Sequence, residues 1–133
     1  GRPVIVVDAS AILELLLRTP AADRLAERLL DPDESMQAPH LLDLEVAQVL
    51  RRYWVAGSLR GDRAGEALDD FQLLRIHRHP HEPLLSRVWE LRHNLTAYDA
   101  AYVALAEALG APLVTRDARL ASAPGHAAVV ELI

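Results

Sequence analysis

Four acidic residues that lie far apart in the sequence occupy positions at which an α/β fold can bring them together. Asp8 directly follows the apolar run at residues 4–7, and Asp117 comes just after another short apolar run. Because the carboxyl ends of parallel strands meet at one edge of an open sheet, where ligands bind, these two carboxylates are expected to converge. Glu45 and Asp99 lie on predicted helices whose neighbouring stripe positions are apolar. Gathered carboxylates favour a hard divalent cation, so the pattern predicts a metal site.

Two of these acids also have structural interpretations that need no ligand. Asp8 can be a turn residue at the end of a strand or the cap of the next helix, although Ser10 already suits the N-cap position. Glu45 shares a helical stripe with apolar residues, where an unpaired charge is costly. It can instead be a solvated edge residue or the ion-pair partner of Arg52. The sequence alone leaves these alternatives open.

The other two acids have local interpretations as well. The segment 96–99 resembles a capping box with Asp99 in place of the usual Glu or Gln, yet Asp99 also heads an apolar stripe that continues with Tyr102. Asp117 can form an Asx turn after the preceding strand. If the sheet is parallel, Asp8 and Asp117 lie close together, and they repel unless one is protonated or a cation lies between them. Convergence of all four acids is therefore the central prediction.

The composition predicts a single domain that spans residues 1–133. An apolar content of 51% is sufficient for a hydrophobic core without covalent links. The absence of cysteine excludes disulfides, zinc–thiolate sites and thiol catalysis. No apolar run approaches the length of a membrane span and no signal peptide is visible, so we expect a cytoplasmic protein with no membrane partner. The net charge of −5 argues mildly against nonspecific binding to nucleic acid.

The basic residues narrow the range of functions. All 14 are arginine and none is lysine, a bias that a GC-rich genome explains best. Response-regulator receivers and haloacid-dehalogenase-type phosphatases also place an acidic pocket at the edge of a parallel sheet, but both rely on a lysine near the phosphoryl group. The absence of lysine therefore argues against both families.

Short β-branched runs alternate with amphipathic segments, which predicts an α/β layer fold with a largely parallel sheet. Proline and glycine mark several of the helix ends. The predicted strands are residues 3–7, 35–38, 76–78, 112–115 and 127–132. The predicted helices are residues 11–17, 20–30, 40–56, 60–73, 83–93, 97–109 and 117–121.

Three alternating histidines form a second candidate metal site. His77, His79 and His81 would share one face of a strand, and imidazole is a ligand of transition metals. Pro80, however, is unsuited to a central strand. A solvated edge or loop is therefore the preferred interpretation of this segment.

The four acids and their neighbours give the chain a resemblance to the PIN-domain nucleases and, within them, to the VapC toxins of bacterial toxin–antitoxin pairs. The resemblance covers essentially the whole chain. It begins with Val-Val-Asp8-Ala-Ser10 and includes Glu45 of the third helix. It continues through Thr-Ala-Tyr-Asp99-Ala-Ala-Tyr and ends with Val-Thr-Arg-Asp117. The combination is quite specific, although each motif alone is weak, and no acid of the family pattern is missing.

The resemblance implies a three-layer α/β/α PIN-like fold with a central, mostly parallel sheet of about four to five strands. It also implies a metal-dependent endoribonuclease that hydrolyses RNA with one or two Mg²⁺ or Mn²⁺ ions and needs no histidine base. The residues expected to hold the metal, directly or through water, and to carry the chemistry are Asp8, Asp99, Asp117 and Glu45. The residues expected to support the carboxylates or the metal-bound water are Ser10 and Thr115.

The resemblance further implies partners beyond the RNA substrate. They are a VapB-type antitoxin, whose segment blocks the active site, and a second copy of the chain in a homodimer. Arg116 and Arg119 are either contacts for the RNA backbone, since a guanidinium matches phosphate oxygens, or solvated loop charges. Tyr53, Trp54 and Trp89 fit either the core or an exposed patch for a dimer or antitoxin.

Two other functions are compatible with the sequence. A PIN nuclease can act in RNA maturation or quality control rather than as a toxin. A domain of this fold can also be a catalytically idle binding module. The complete set of four acids argues against the idle module.

Overall fold

Five parallel strands form one central sheet in the computed structural model, which describes residues 3–133. The strands are β1 (Val4–Val7), β2 (Ser35–Pro39), β3 (Ile76–His79), β4 (Leu113–Thr115) and β5 (Val130–Leu132). Their order across the sheet is β3-β2-β1-β4-β5, and every neighbouring pair is parallel. The predicted α/β class with a largely parallel sheet is therefore confirmed.

Helices cover both faces of this sheet and give the three-layer α/β/α arrangement expected of a PIN-like fold. Within the described residues they are α1 (Ala9–Leu16), α2 (Ala22–Leu29), α3 (Leu41–Val55), α4 (Gly61–Leu73), α5 (Leu85–Glu90), α6 (Ala97–Leu109) and α7 (Ala118–Ser122), and one 3-10 turn (Glu82–Leu84) precedes α5. Helix α1 contacts α2, α3 and α4, whereas α6 packs on β1, β2 and β4 and against α5. None of these helices is long and apolar enough to cross a lipid bilayer.

The core is centred on β1 and α6, the elements next to Asp8 and containing Asp99. Residues 5–7 are fully buried, as expected for a central strand that is covered on both faces. The segment 100–106 of α6 is buried at every position, so this helix packs on several sides rather than along one stripe. Full burial of a large apolar side chain contributes roughly 1.5–3 kcal/mol. The two acids are thus attached to the most tightly packed part of the fold.

The strand order changes direction at β1, and this change creates a crevice at the edge of the sheet. From β1 the chain proceeds outward through β2 and β3 on one side, and then crosses to β4 and β5 on the other. In open α/β sheets, ligands bind at this switch point, beyond the carboxyl ends of the strands. The register pairs Val7 with Val114, so Asp8 lies level with Thr115 at the ends of β1 and β4.

Helix α1 is capped by Asp8 rather than by Ser10, so the predicted N-cap is wrong. Asp8 has extended backbone angles after β1, and its Oδ1 accepts a hydrogen bond from the N–H of Ala11 at 3.1 Å. Ser10 lies inside the first turn, and its hydroxyl donates to the same Oδ1 at 2.7 Å. Asp8, at the end of β1, occupies the N-cap position, so its carboxylate accepts the hydrogen bond from the helix. The hydroxyl of Ser10 then serves as a donor to that carboxylate.

Two predicted elements are much shorter in the structure, whereas the ends of the other elements differ by at most two residues from the prediction. The helix predicted at residues 83–93 consists of the 3-10 turn and α5, followed by hydrogen-bonded turns. The last strand, predicted at 127–132, covers only 130–132. The backbone N–H of Ala127 donates to the carboxylate of Glu107 at 2.8 Å instead of to a neighbouring strand.

The three ambiguous aromatic side chains are exposed. Tyr53 is 42% exposed, Trp54 is 56% exposed and Trp89 is 68% exposed, so their assignment to the core is wrong. The guanidinium of Arg92 lies over the ring of Trp89, with its central carbon 4.6 Å from the ring centroid. The alternative of an exposed patch is the one that the structure fits.

The alternating histidines lie at the edge of the sheet. β3 is an edge strand, since it pairs with β2 alone, and Pro80 follows its last residue. Nε2 of His79 shares a hydrogen bond with Oε1 of Gln37 at 2.6 Å, and Nε2 of His81 accepts from the N–H of Leu41 at 2.9 Å. These imidazole nitrogens therefore have protein partners, which agrees with the preferred interpretation of the segment as a sheet edge.

The end of β3 holds the beginning of α3, the helix that carries Glu45. The N-cap residue of α3, His40, makes no capping bond with its own side chain, and His81 accepts from the first helical N–H instead. Arg78 adds an ion pair with Asp43, at 3.0 Å, in the first turn of the helix. The position of Glu45 therefore depends on contacts made by a different element.

Replacing His81 by alanine is expected to lower the free energy of unfolding by about 1 kcal/mol, because the first N–H of α3 loses its acceptor. The measurement is urea unfolding followed by circular dichroism. As a control, His93→Ala removes an exposed histidine and should change stability by less than about 0.5 kcal/mol. Equal effects of the two substitutions would contradict the capping role of His81.

Candidate active site

A cavity of about 540 Å³ lies at the carboxyl edge of the sheet, beside the ends of β1 and β4. Its walls include all four acids predicted to converge: Asp8, Glu45, Asp99 and Asp117. The other predicted site residues on its walls are Ser10, Arg116 and Arg119. The remaining one, Thr115, is fully buried and bonded to Asp8. The structure thus places every residue predicted for the site in one region.

Asp8 is the most deeply buried of the four acids, with 5% of its surface exposed. The Thr115 hydroxyl donates to Oδ2 at 2.5 Å, while the Ser10 hydroxyl and the Ala11 N–H both donate to Oδ1. Burial raises the pKa of Asp8, these three donors oppose the rise, and repulsion from Asp117 adds to it, so the net shift is upward. The ionised form is held by donors but is costly without a cation.

The hydroxyls of Ser10 and Thr115 join the two halves of the site. Each hydroxyl donates its proton to Asp8 and uses its oxygen to accept from the loop after β4. Ser10 Oγ accepts from the N–H of Arg116, and Thr115 Oγ1 accepts from the N–H of Asp117, both at 3.0 Å. The two hydroxyl oxygens are 3.2 Å apart. This network fixes Asp8 relative to the loop that carries Asp117, which is the geometry that a supporting role requires.

Glu45 is held by a tyrosine from a different helix. The hydroxyl of Tyr102, whose side chain is buried, donates to Oε1 of Glu45 at 2.5 Å. Burial raises the pKa of Glu45, the bond from Tyr102 opposes this, and the nearby Asp99 and Asp8 add to the rise. Burial and the adjacent Glu45 also raise the pKa of Tyr102, so its hydroxyl stays protonated. Within the described residues no ion pair joins Glu45 to Arg52, so that alternative is not realised.

Asp99 and Tyr102 lie one turn apart at the start of α6. Thr96 Oγ1 accepts from the N–H of Asp99 at 3.2 Å, so the predicted cap is present, and the Asp99 side chain lines the cavity. Burial raises the pKa of Asp99, repulsion from Asp117 adds to this, and Arg119 opposes it. The contact of Tyr102 with an acid is absent from the sequence prediction. Its signal is a stripe position that must be buried, where a tyrosine hydroxyl needs a partner.

The loop after β4 carries Asp117 and two arginines with different surroundings. Asp117 caps α7, since Oδ1 accepts from the N–H of Arg119 at 2.9 Å and Oδ2 from its guanidinium at 3.2 Å. The Asx-turn interpretation is therefore correct, and the same carboxylate also lines the cavity. The Arg119 side chain is 88% exposed. The Arg116 guanidinium instead pairs with Glu14 and donates to the carbonyl of Ile133, so it is not a solvated loop charge.

The acceptors that remain on these carboxylates suit a hard cation. A carboxylate offers about four lone-pair positions. In Asp8, Oδ1 accepts two hydrogen bonds and Oδ2 accepts one, so Oδ2 keeps a position. Arg119 is the only arginine paired with any of the four acids in the described part of the chain, so much of their charge is not balanced by the protein.

The four carboxylates share the cavity without forming a tight cluster. Among residues 3–133, no three histidine or acidic side chains are grouped closely enough to hold one ion together. The acids nevertheless interact electrostatically in pairs: Asp8 with Asp117, Asp8 with Glu45, Glu45 with Asp99, and Asp99 with Asp117. At this spacing one ion would contact few of the carboxylates directly, and water would have to complete its coordination.

Comparison with known proteins assigns the fold to a family. A family model described as the PIN domain matches residues 5–125. This chain belongs to the PIN-domain family.

Curated relatives place this PIN domain among the VapC proteins. Ribonuclease VapC1 of Mycobacterium tuberculosis is 45% identical over 129 residues, with 96% of each chain covered. Ribonuclease VapC9 of the same organism is 47% identical over 119 residues, with 88% of each chain covered.

A solved structure shows that the PIN domain has the expected architecture. The structure of VapBC2 from Rickettsia felis, bound to a DNA fragment from their promoter, matches with a TM-score of 0.70 and covers 97% of this chain and 98% of that chain. At 15% identity, this likeness concerns the fold alone. The resemblance to PIN domains and VapC proteins is thus confirmed, whereas the individual roles of the acids stay predictions.

Replacing Glu45 by glutamine is expected to stabilise the metal-free PIN domain at pH 7 by at most about 1 kcal/mol, because solvent partly screens a half-exposed group. The fold raises the pKa of Glu45, so its ionisation costs stability as the pH rises above about 4, and the variant avoids this cost. The measurement is the free energy of unfolding in the presence of a chelator. The gain should be present at pH 7 and absent at pH 4.

The matched control is Glu27→Gln, which removes an exposed carboxylate from α2. It should change stability by less than about 0.5 kcal/mol at both pH values. A gain for Glu45→Gln that is equal at pH 4 and pH 7, or a loss at pH 7, would show that charge repulsion in the cavity is not its source.

Proposed function

We propose that the chain is a metal-dependent endoribonuclease that acts as the toxin of a toxin–antitoxin pair. The observation that carries this proposal is the meeting of four carboxylates from separate elements around one cavity at the switch point of the sheet. Burial and mutual repulsion raise the pKa of three of them, as expected for carboxylates that lack a cation: Asp8, Glu45 and Asp99. The names of the curated relatives, both ribonucleases, support the same conclusion.

The cation that fits this set of oxygen ligands is Mg²⁺ or Mn²⁺, as one ion or a close pair. It would be held, directly or through water, by Asp8, Glu45, Asp99 and Asp117. When bound, such ions supply an activated water for phosphodiester hydrolysis and offset charge on the phosphoryl and leaving oxygens. This chemistry requires neither a lysine nor a histidine base.

The residues of the chain have distinct tasks around that centre. Ser10 and Thr115 hold the Asp8 carboxylate in one orientation through its two oxygens. Tyr102 holds Glu45 through Oε1, which leaves Oε2 as an atom that can accept a proton from water.

The two arginines of the loop after β4 contribute differently to RNA binding. Arg119 is the better placed contact for the RNA backbone, because its side chain is exposed beside the cavity. Its guanidinium can match two phosphate oxygens at once. Arg116 instead holds the loop in place through Glu14 and contributes to substrate binding indirectly.

We further propose that a VapB-type antitoxin and a second copy of the chain are its protein partners. Both relatives are named as VapC ribonucleases, and the solved Rickettsia felis structure is that of VapBC2. Exposed apolar side chains on α3, α5 and α6 provide surface for such contacts: Leu44, Leu85, Trp89 and Tyr98. We expect the protein to act in the cytoplasm, where RNA substrates are available.

Asp8→Asn and Asp99→Asn are each expected to reduce RNA cleavage by at least about 100-fold, because each removes a charge from the cation-holding set. The measurement is cleavage of a single-stranded RNA in Mg²⁺ or Mn²⁺, followed on a gel. A chelator should abolish cleavage by the unsubstituted protein, and added Mg²⁺ or Mn²⁺ should restore it.

The control for these substitutions is Asp70→Asn, which removes an exposed carboxylate from α4 and should cleave normally. Circular dichroism establishes that each variant is folded. Undiminished cleavage by a folded Asp99→Asn protein, or cleavage that persists in excess chelator, would contradict the proposed metal site.

Expression of the protein in a bacterial host is expected to arrest growth, and co-expression of the small protein encoded directly upstream should relieve the arrest. Asp99→Asn should not arrest growth, since the arrest depends on RNA cleavage. The measurement is colony formation after induction. Normal growth despite RNA cleavage in vitro would contradict the toxin role and favour a nuclease of RNA maturation or quality control.

A further inference from the structure

The cavity that contains the four acids also has a part with a different chemistry. This part is lined by residues of α1, of its C-cap and of α3: Leu13, Leu17, Val49, Arg52 and Tyr53. Apolar walls, one aromatic ring and one cation therefore continue the surface that the carboxylates begin.

The geometry of α3 separates this part from the acids. Val49, Arg52 and Tyr53 follow Glu45 by four, seven and eight positions, so all four lie on one face of the helix. With a rise of 1.5 Å per residue, Arg52 and Tyr53 lie roughly 10–12 Å from Glu45 along the helix axis. A ligand that reaches both regions must therefore be extended, as a strand of nucleic acid is.

The side-chain polar groups of Tyr53 and Arg52 have no hydrogen-bond or ion-pair partner among the described residues. Tyr53 is 42% exposed, and its hydroxyl has no hydrogen bond within residues 3–133. The Arg52 guanidinium has neither a hydrogen bond nor an ion pair in the same range. Arg116, in the same cavity, is by contrast paired with Glu14. An unpaired cation beside an exposed ring leaves both groups available to a ligand.

We infer that this part of the cavity is a nucleobase subsite, in which Tyr53 stacks on an unstacked base of the RNA that flanks the cleaved bond. The inference rests on the proposed ribonuclease function and names how its substrate is recognised. Single-stranded RNA is commonly bound by stacking its bases on aromatic side chains. Arg52 contacts a phosphate next to that base, since a guanidinium pairs with phosphate oxygens. Leu13 and Leu17 contact the base from the opposite helix.

This subsite requires that one nucleotide near the cleaved bond be unpaired. A base that stacks on Tyr53 has to leave its own helical stack before it can bind here. Every base can stack on an aromatic ring, so the subsite requires an unpaired nucleotide but does not select a particular base. The distance from Glu45 places that nucleotide close to the cleaved bond but not at it.

The occupant is RNA rather than a protein segment, because a phosphate backbone complements the unpaired Arg52 while reaching the cation-holding acids. A peptide that blocks the site would find the same apolar walls. Tyrosine and arginine are also common at protein interfaces, so the choice of RNA rests on the position of Arg52 in the same cavity as the acids. The two occupants give opposite results when RNA binding is measured in the absence of any protein partner.

The experiment compares Tyr53→Ala with Tyr53→Phe, which keeps the ring. Binding of a fluorescent single-stranded RNA is measured by anisotropy in excess chelator, so that no cleavage occurs, and cleavage is then measured with metal. Tyr53→Ala should weaken RNA binding about 5- to 100-fold, the range for loss of one stacked base, and Tyr53→Phe should bind normally. RNAs with an abasic nucleotide at each position in turn locate the base: at one position the unsubstituted protein and Tyr53→Ala should bind equally.

The matched control is Trp54→Ala, at the adjacent position. Trp54 is also exposed, but it lines a separate apolar cavity with residues of α4. This variant should bind and cleave RNA like the unsubstituted protein. Arg52→Gln should weaken binding to intact and abasic RNA by the same factor, because its contact is with phosphate.

The outcomes separate this inference from the proposed function. If RNA is cleaved and Tyr53→Ala binds it as tightly as Trp54→Ala does, the proposed subsite is refuted and the proposed nuclease function is retained. If no RNA is cleaved under any metal condition but binding depends on Tyr53 and on one base, the subsite is supported and the nuclease function is refuted. Unchanged RNA binding together with lost binding of the antitoxin would assign the surface to the protein partner and overturn the inference.

Discussion

The contact on which the arrangement of the acids depends is the hydrogen bond from the Thr115 hydroxyl to the buried Asp8 carboxylate. β1 and β4 are neighbours in space but more than a hundred residues apart, so no tight turn aligns their ends. The parallel register sets Asp8 level with Thr115. The Thr115 hydroxyl then fixes the Asp8 carboxylate by a hydrogen bond from the end of β4 to the end of β1. Ser10 in α1 makes a second connection of this kind, because its hydroxyl oxygen accepts from the N–H of Arg116 in the loop after β4. A buried carboxylate with fewer donors would shift toward its neutral form.

The fold gathers four carboxylates around one cavity, and their mutual repulsion lowers the stability of the folded protein. Burial and mutual repulsion raise the pKa of Asp8, Glu45 and Asp99, which means that their ionised forms are disfavoured in the folded chain. The compensation comes from the apolar packing of β1 and α6 directly beneath. Proteins commonly retain such local cost at functional sites when the surrounding core is well packed. Two of the acids, Asp8 and Asp99, are therefore carried by the elements with the most completely buried side chains.

Much of the fold could be predicted because its signals are local. The apolar run of β1 and the stripe of α6 each lie within one segment, and the alternation of strands and helices is enough to predict a parallel sheet. The positions of the four acids at strand ends and on helical stripes predicted their convergence, and the resemblance to PIN domains then implied their roles. The contacts that hold them were not predictable in this way, since Tyr102 meets Glu45 across 57 positions and Arg116 meets Glu14 across 102. The N-cap of α1 was mistaken because two side chains competed for one helix terminus.

The buried alanines of α6 limit the size of the side chains that this helix can accept at those positions. Residues 100, 101, 104 and 106 are small and at least 95% buried, so the backbone of this helix can lie close to the sheet. A bulkier residue at any of them would lift the helix as a unit and carry Asp99 and Tyr102 away from their partners. A side chain that is larger by about one methyl group at one of these interior positions would therefore disrupt the acidic cavity with every acidic residue left in place.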